Sequence, residues 1–229
     1  GEVRKCILCR IKQRILTMNI KHFFLLALMM LISLSASTQS RRSVAILGDS
    51  YSTFENYLSC DTNAVWYFQG KQKRTDVTDV EQTWWHQLIK EKGWRLECNN
   101  SFSGSTICYT GYGGEDYQNR SFHNRLRYLG SPDIILVFGA TNDCWAKSPI
   151  GEFKYADWTK EELYSFRPAM AAMCNGLRKR YPNVDIYFIM NSELTETITS
   201  SCSTICEYYH IPMIMLHDIE KINGHPSIK

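Results

Sequence analysis

Several signatures are missing from this sequence, and each absence removes a class of function. Neither G-x-G-x-x-G nor G-x-x-x-x-G-K occurs, so there is no dinucleotide fingerprint or P-loop, and no cofactor is expected. No H-x-x-H or H-E-x-x-H spacing exists to seat a catalytic metal. Charge of one sign is scarce: the formal net charge is +3. Most of that excess precedes residue 43, where Arg4, Lys5, Arg10, Lys12, Arg14, Lys21, Arg41 and Arg42 face only Glu2. The body is near neutral, which argues against a nucleic-acid partner. No apolar run reaches the about 20 residues of a comfortable membrane span. Internal repeats and low-complexity segments are also absent.

Cysteine is present but uninformative. Cys6 and Cys9 form a lone C-x-x-C with no second pair nearby, which does not make a zinc site. The other seven of the nine cysteines match no disulfide framework, and their odd count leaves at least one thiol unpaired. Cys202 and Cys206 are four apart on an expected helix and read as buried apolar positions.

What remains is rich in core-forming residues. Of 229 residues, 44% are hydrophobic and 13% aromatic, enough for one packed domain of about 190 residues. Residues 1–40 read as an N-terminal extension with a secretory signal over about residues 18–38. Met18 reads as the natural start. Lys21 is followed by the apolar stretch Phe23 to Leu34 and the small residues Ser35-Ala36-Ser37-Thr38. A secreted or periplasmic protein is expected, with no stable membrane anchor after cleavage. The alternative is an uncleaved N-terminal anchor. Residues 41–229 are left for the domain.

The domain is organised around Ser43-Val44-Ala45-Ile46-Leu47-Gly48-Asp49-Ser50. A continuous apolar run ended by glycine reads as a strand buried on both faces. A serine at its end projects from the carboxyl edge of a parallel sheet, where open α/β folds place ligands. The polar, aromatic stretch 51–82 reads as a pocket wall. Asp79 and Gln82 read as a capping box for a helix over 83–92, ended by Gly93. Trp94 to Cys98 is a short second strand, and Asn119 to Leu129 is expected to be a helix. Gly111, Gly113 and Gly114 fit a flexible pocket loop. Asp133 to Phe138 is a second strong buried strand, ending in Gly139-Ala140-Thr141-Asn142-Asp143. The next helix carries Leu163, Phe166, Met170, Met173 and Leu177, and Pro168 is expected to kink or split it. Val184 to Met190 is a strand, Thr195 to Tyr209 a helix, Ile211 to Leu216 a last strand, and residues 217–226 a tail. Strands and helices alternate about five times, which predicts a parallel sheet with helices on both faces.

Three strand-end clusters and one histidine stand out: Gly48-Asp49-Ser50, Ser103-Gly104, Gly139-x-x-Asn142-Asp143 and His225-Pro226. In order and spacing these resemble the four blocks of the SGNH hydrolases, the GDSL esterase/lipase family, over residues 43–227. The resemblance implies a three-layer α/β/α sandwich of flavodoxin-like type with a parallel sheet of about five strands. It implies a serine esterase in which Ser50 attacks the ester carbonyl. His225 takes the proton and returns it to the leaving alcohol. The backbone N–H groups of Ser50 and Gly104 and the Asn142 amide would hold the oxyanion. The expected partner is a small-molecule or glycan ester, and the oligomeric state stays open.

Two features depart from the family. The aspartate usual three residues before the histidine is Ile222 here. Asp218, Glu220 or a backbone carbonyl must then orient the imidazole, with a Ser50–His225 dyad or a carbonyl favoured. The chain also stops three residues after Pro226, so exposed apolar surface and a loosened His225 segment are expected. The aromatic residues Trp66, Tyr67, Tyr112, Trp145 and Trp158 suggest sugar stacking and an acetylated glycan as substrate. The alternatives are a non-catalytic carbohydrate-binding relative, or a lipase, lysophospholipase or O-acyltransferase on the same scaffold.

Overall fold

The strong apolar runs do become buried strands. In the computed structural model, which describes residues 41–228, the strands are β1 Ser43–Gly48, β2 Arg95–Ser101, β3 Ile134–Gly139, β4 Asp185–Met190 and β5 Met213–Met215. They form one sheet of order β2-β1-β3-β4-β5, parallel at every pairing. The Cys6/Cys9 pair and the expected signal at 18–38 lie outside the described residues.

Alternating side chains of each strand feed two cores. On one face Ala45, Leu47, Ile135, Val137 and Phe188 pack with α2 Phe122–Arg125, α4 Phe166–Arg180 and α5 Glu196–Tyr208. On the other, Val44, Ile46, Leu136 and Phe138 meet α1 Trp84–Lys92, which presents Trp84, Trp85 and Ile89. The result is the expected three-layer α/β/α sandwich. Each fully buried Val, Leu, Ile or Phe adds about 1.5–3 kcal/mol relative to exposure, so the sheet centre is the rigid frame beneath the site.

Four local expectations need correction. β2 runs on to Ser101 rather than stopping at Cys98. Its polar end is buried because its groups are satisfied: Asn99 Nδ2 donates to Ser52 O at 2.9 Å and Ser101 Oγ to Asn99 Oδ1 at 2.6 Å. The expected 119–129 helix is only the four residues of α2 after a separate 3-10 turn at Gln118–Arg120. The Asp79/Gln82 capping box does form, but on the 3-10 turn Val80–Gln82, and α1 starts after Thr83. The helix expected through Leu163 does break, but at Ser165, with Leu163 on a separate 3-10 turn Glu162–Tyr164; Pro168 does not interrupt α4. It is the third residue of that helix, where a backbone N–H has no intrahelical partner to lose.

The tail is not a tail. Lys221–Ile222 (β6) and His225–Pro226 (β7) pair as an antiparallel hairpin across Asn223-Gly224. Both turn residues have positive φ, 50° and 76°, as the tight hairpin turn favoured by Asn-Gly demands. The expected loosening of the His225 segment does not occur. Tyr51 Oη donates to Gly224 O, Tyr67 Oη to Pro226 O at 2.9 Å, and Asn223 Nδ2 to Arg74 O at 3.0 Å. Apolar surface is exposed nearby, at Ile214 and Met215 on the edge strand β5. The seven described cysteines are all free thiols, with Cys202 and Cys206 buried in the core.

Candidate active site

The carboxyl ends of β1, β2 and β3 lie level, with Gly48 beside both Ser101 and Phe138. A Cβ at Gly48 would sit 2.6 Å from Ser101 Oγ and 2.7 Å from Ser52 Cβ. Glycine is therefore the residue that lets the chain turn sharply off β1 against β2. The Ser50–Ser52 turn follows, capped by Asp49, whose Oδ1 accepts from Tyr51 N at 3.0 Å. Ser50 is thereby lifted above the sheet edge.

His225 comes to it from the far end of the chain. Its Nε2 lies 2.9 Å from Ser50 Oγ, and its Nδ1 lies 2.9 Å from Asn223 O. A carbonyl oxygen only accepts, so Nδ1 carries the proton. The neutral ring then has a lone pair on Nε2, and Ser50 Oγ–H donates to it. Asp218 and Glu220 are exposed and neither carboxylate hydrogen-bonds the ring. The acid's place on Nδ1 is taken by a backbone carbonyl. Burial holds the imidazole below its ordinary pKa, the Arg74 charge lowers it further, and the Asn223 carbonyl acts against both.

Asn142 sits in the short helix α3 Thr141–Trp145, directly after β3. Ala140 turns the chain into it at φ 72°, a left-handed conformation costly for a residue with a Cβ. Tyr112 Oη donates to Asn142 Oδ1 at 2.7 Å. That bond fixes which way the amide points. Asn142 Nδ2 is buried and has no protein partner, so a donor is held ready in a place that offers it nothing else. Gly104 has φ 77°, and its Cα faces open space. Trp145 closes the other end of α3 against the hairpin, 6.1 Å from the His225 ring and 6.3 Å from Tyr51.

Three buried charges underlie this edge. Asp143 accepts from Ile107 N at 2.8 Å and Cys108 N at 3.1 Å, holding the 106–109 segment, yet burial lifts its pKa to about 6. Burial raises Asp49 to about 7 against the Tyr51 N–H and the Arg125 charge, and its Oδ2 has no partner. Arg125 is buried and lowered to about 9 by desolvation, with Asp49 opposing. Its guanidinium donates to Gly48 O at 3.0 Å, Ser105 Oγ at 2.8 Å, Arg120 O at 2.8 Å and Asn100 O. One side chain thus ties the ends of β1 and β2 to the loop that carries Gly104.

The full span of these residues matches the family model for GDSL-like lipase/acylhydrolase, over residues 42–229. The chain belongs to the GDSL-like lipase/acylhydrolase family. It is an ester hydrolase of that family. A candidate GDSL-like lipase from Bacteroides ovatus is 59% identical, with TM-score 0.82, covering 83% of this chain and 92% of that one. One from Bacteroides uniformis is 54% identical, with TM-score 0.81, covering 83% and 90%. A family two carbohydrate esterase from Clostridium thermocellum shares the fold at 16% identity and TM-score 0.54, covering 82% and 58%. No curated protein matches the chain.

Of the site residues expected from sequence, Ser50 and His225 are in hydrogen-bonding contact. Asn142 is held by Tyr112 with its amide N–H free, and Gly104 lies on the loop that Arg125 ties down. The expected sugar platform changes. Trp66 and Tyr67 are spent on the hairpin, and Tyr112 on Asn142, while Trp145 keeps 41% exposure beside His225. A cavity of about 780 Å³ is lined by Phe102, Tyr117, Asn119, Arg120 and Tyr128 among others, and none of Ser50, Gly104, Asn142 and His225 lines it. Arg125 and the Asn223 carbonyl were not singled out by sequence, and Tyr112 was singled out for sugar stacking rather than for holding Asn142. A lone charged residue in a short amphipathic segment reads as surface, so Arg125 left no signal. Asn223-Gly224 did leave one, as a hairpin turn.

Proposed function

We propose that the chain is a secreted serine esterase acting through a Ser50–His225 dyad, with acetyl esters on carbohydrate as its substrate class. The observation that carries the mechanism is the 2.9 Å contact of Ser50 Oγ with His225 Nε2, together with Nδ1 held by Asn223 O. As the Oγ–carbonyl carbon bond forms, the hydroxyl proton passes to Nε2. Negative charge on the carbonyl oxygen is met by Asn142 Nδ2 and the backbone N–H groups of Ser50 and Gly104. The proton then goes to the alcohol oxygen as the C–O bond breaks, and water repeats the sequence on the acyl-enzyme. The carbonyl on Nδ1 stabilises the transient imidazolium as a dipole rather than as a full charge.

The substrate reading is supported by the exposed Trp145 beside the imidazole and by the shared fold of a carbohydrate esterase. Export is supported by the signal-like stretch at about 18–38, and N-terminal sequencing of the exported protein tests it. The mechanism is tested with p-nitrophenyl acetate and with acetylated oligosaccharides, comparing wild type and Ser50→Ala. Loss of acetate release in the variant is expected. Equal rates in both would remove the serine esterase.

A further inference from the structure

His225 lacks a carboxylate partner, yet its ring is hydrogen-bonded at both nitrogens and packed by aromatic rings. The Asn223 carbonyl holds one atom, Nδ1. The Ser50 hydroxyl meets the other nitrogen, Nε2, and two hydrogen bonds fix an axis but leave the ring free to turn about it. The plane is fixed by something else. The indole of Trp66 lies flat on the imidazole, with centroids 3.6 Å apart and planes 7° from parallel. Tyr51, Trp145 and Tyr67 bound the ring at 5.2, 6.1 and 6.5 Å, all at steep angles.

Trp66 is itself anchored to the nucleophile. Its backbone N–H donates to Thr53 Oγ1 at 2.9 Å, and that hydroxyl donates to Ser50 O at 3.1 Å. Arg74 holds it as well. Its guanidinium carbon lies 4.6 Å from the Trp66 ring centroid, and one of its nitrogens donates to Trp66 O. Among the described residues no carboxylate pairs with Arg74. The titratable groups facing the imidazole are Ser50 and Tyr51 from the turn after β1, and Tyr67 and Arg74 from the 53–79 connection. Trp145 of α3 and the hairpin's own Asn223 carry no titratable group. Burial pushes both phenols up, so Arg74 is the ion the base faces.

We propose that Trp66, backed by Arg74, is the positioning residue for His225, holding by ring stacking the plane that a carboxylate on Nδ1 holds in a Ser-His-acid triad. This rests on the Ser50–His225 reading above. The stack has a second effect. An electron-rich ring face stabilises the imidazolium formed as Ser50 gives up its proton, while the Arg74 cation keeps the resting base neutral into mildly acidic solution.

The test uses p-nitrophenyl acetate kinetics from pH 4 to 9 (a range spanning the ordinary histidine pKa of about 6.5), with ¹H NMR of His225 Hε1. Trp66→Ala should lower kcat about thirtyfold, from about 2 kcal/mol of lost face contact in a desolvated site, with KM little changed. Trp66→Phe should recover most of it. Arg74→Gln should move the acid limb of kcat/KM to higher pH, and Arg74→Lys should leave it near the wild-type position. The Arg74 pair keeps the question open to refutation should Trp66→Ala not fold. In wild type the Hε1 signal should lie upfield through the indole ring current, and return downfield in Trp66→Ala. A folded Trp66→Ala with wild-type kcat, or with only KM raised, would overturn the proposal. So would an unmoved acid limb in Arg74→Gln. Wild-type protein with no esterase activity would instead sink the dyad reading, while the Hε1 shift would still report on the stack.

Discussion

Asn142→Ala should separate activity from stability with opposite signs. Its Nδ2 is buried without a protein partner. Leaving a buried donor unmet costs about 1–3 kcal/mol in the resting fold. In the oxyanion-bearing transition state that donor gains its acceptor, and one such side-chain donor is worth about 2.7–4 kcal/mol, or about 10²–10³ in kcat. The variant should therefore lose about two to three orders of magnitude in kcat while its urea midpoint stays level or rises. Tyr112 supplies the internal control, because its hydroxyl holds Asn142 Oδ1 at 2.7 Å. Tyr112→Phe frees the amide to rotate and should slow turnover about 3–10-fold, the worth of one net hydrogen bond. In the Asn142→Ala background the same change should have almost no further effect. The assays are steady-state p-nitrophenyl acetate hydrolysis for the four proteins of this cycle and urea unfolding followed by tryptophan fluorescence. Unchanged kcat in Asn142→Ala would remove the amide from the oxyanion site. Fully additive losses in the double variant would mean that Tyr112 acts elsewhere, and a large drop in stability would mean that Asn142 is a structural cap.

Two other perturbations follow from the same geometry. Asp218→Asn and Glu220→Gln should each leave kcat within about twofold of wild type, as surface changes away from the ring, whereas His225→Ala abolishes turnover. A loss in either acid variant as severe as that of His225→Ala would refute orientation by Asn223 O. Asp49, raised from its ordinary 3.8 to about 7, binds a proton in the folded state that the unfolded chain releases. Its contribution is therefore fully present below pH about 4 and is lost as pH rises towards about 7, by up to about 4 kcal/mol at 1.36 kcal/mol per pH unit. Asp49→Asn keeps the Tyr51 N–H acceptor and should gain on wild type in unfolding free energy across that interval. Parallel pH–stability curves for the two proteins would refute it.

Much of this molecule is readable along the chain because the controlling interactions are local or periodic. Val44–Leu47 and Ile134–Phe138 are apolar without a break, and such runs are soluble only inside a sheet covered on both faces. Gly48, Ser50, Gly104 and Asn142 lie at or near strand ends marked by composition, but their roles, and the choice of His225 in the tail, came from the resemblance to the four family blocks. The errors fall where tertiary contacts override local preference. Asn99-Asn100-Ser101 has poor strand propensity, yet it extends β2 because Ser52 and Arg125 satisfy its polar groups.

The sequence alone determined the sheet, its carboxyl edge and the residue types offered there, since burial periodicity and turn chemistry are written in consecutive residues. Only the tertiary structure decided how His225 is held. The Asn223 carbonyl, the Trp66 face and the Tyr51 and Tyr67 hydroxyls come from segments up to 173 positions apart. A main-chain carbonyl has no residue-type signature, and a stacking tryptophan has no fixed spacing from its partner. Such contacts exist only once the chain has folded and brought its two ends to one lip of the sheet.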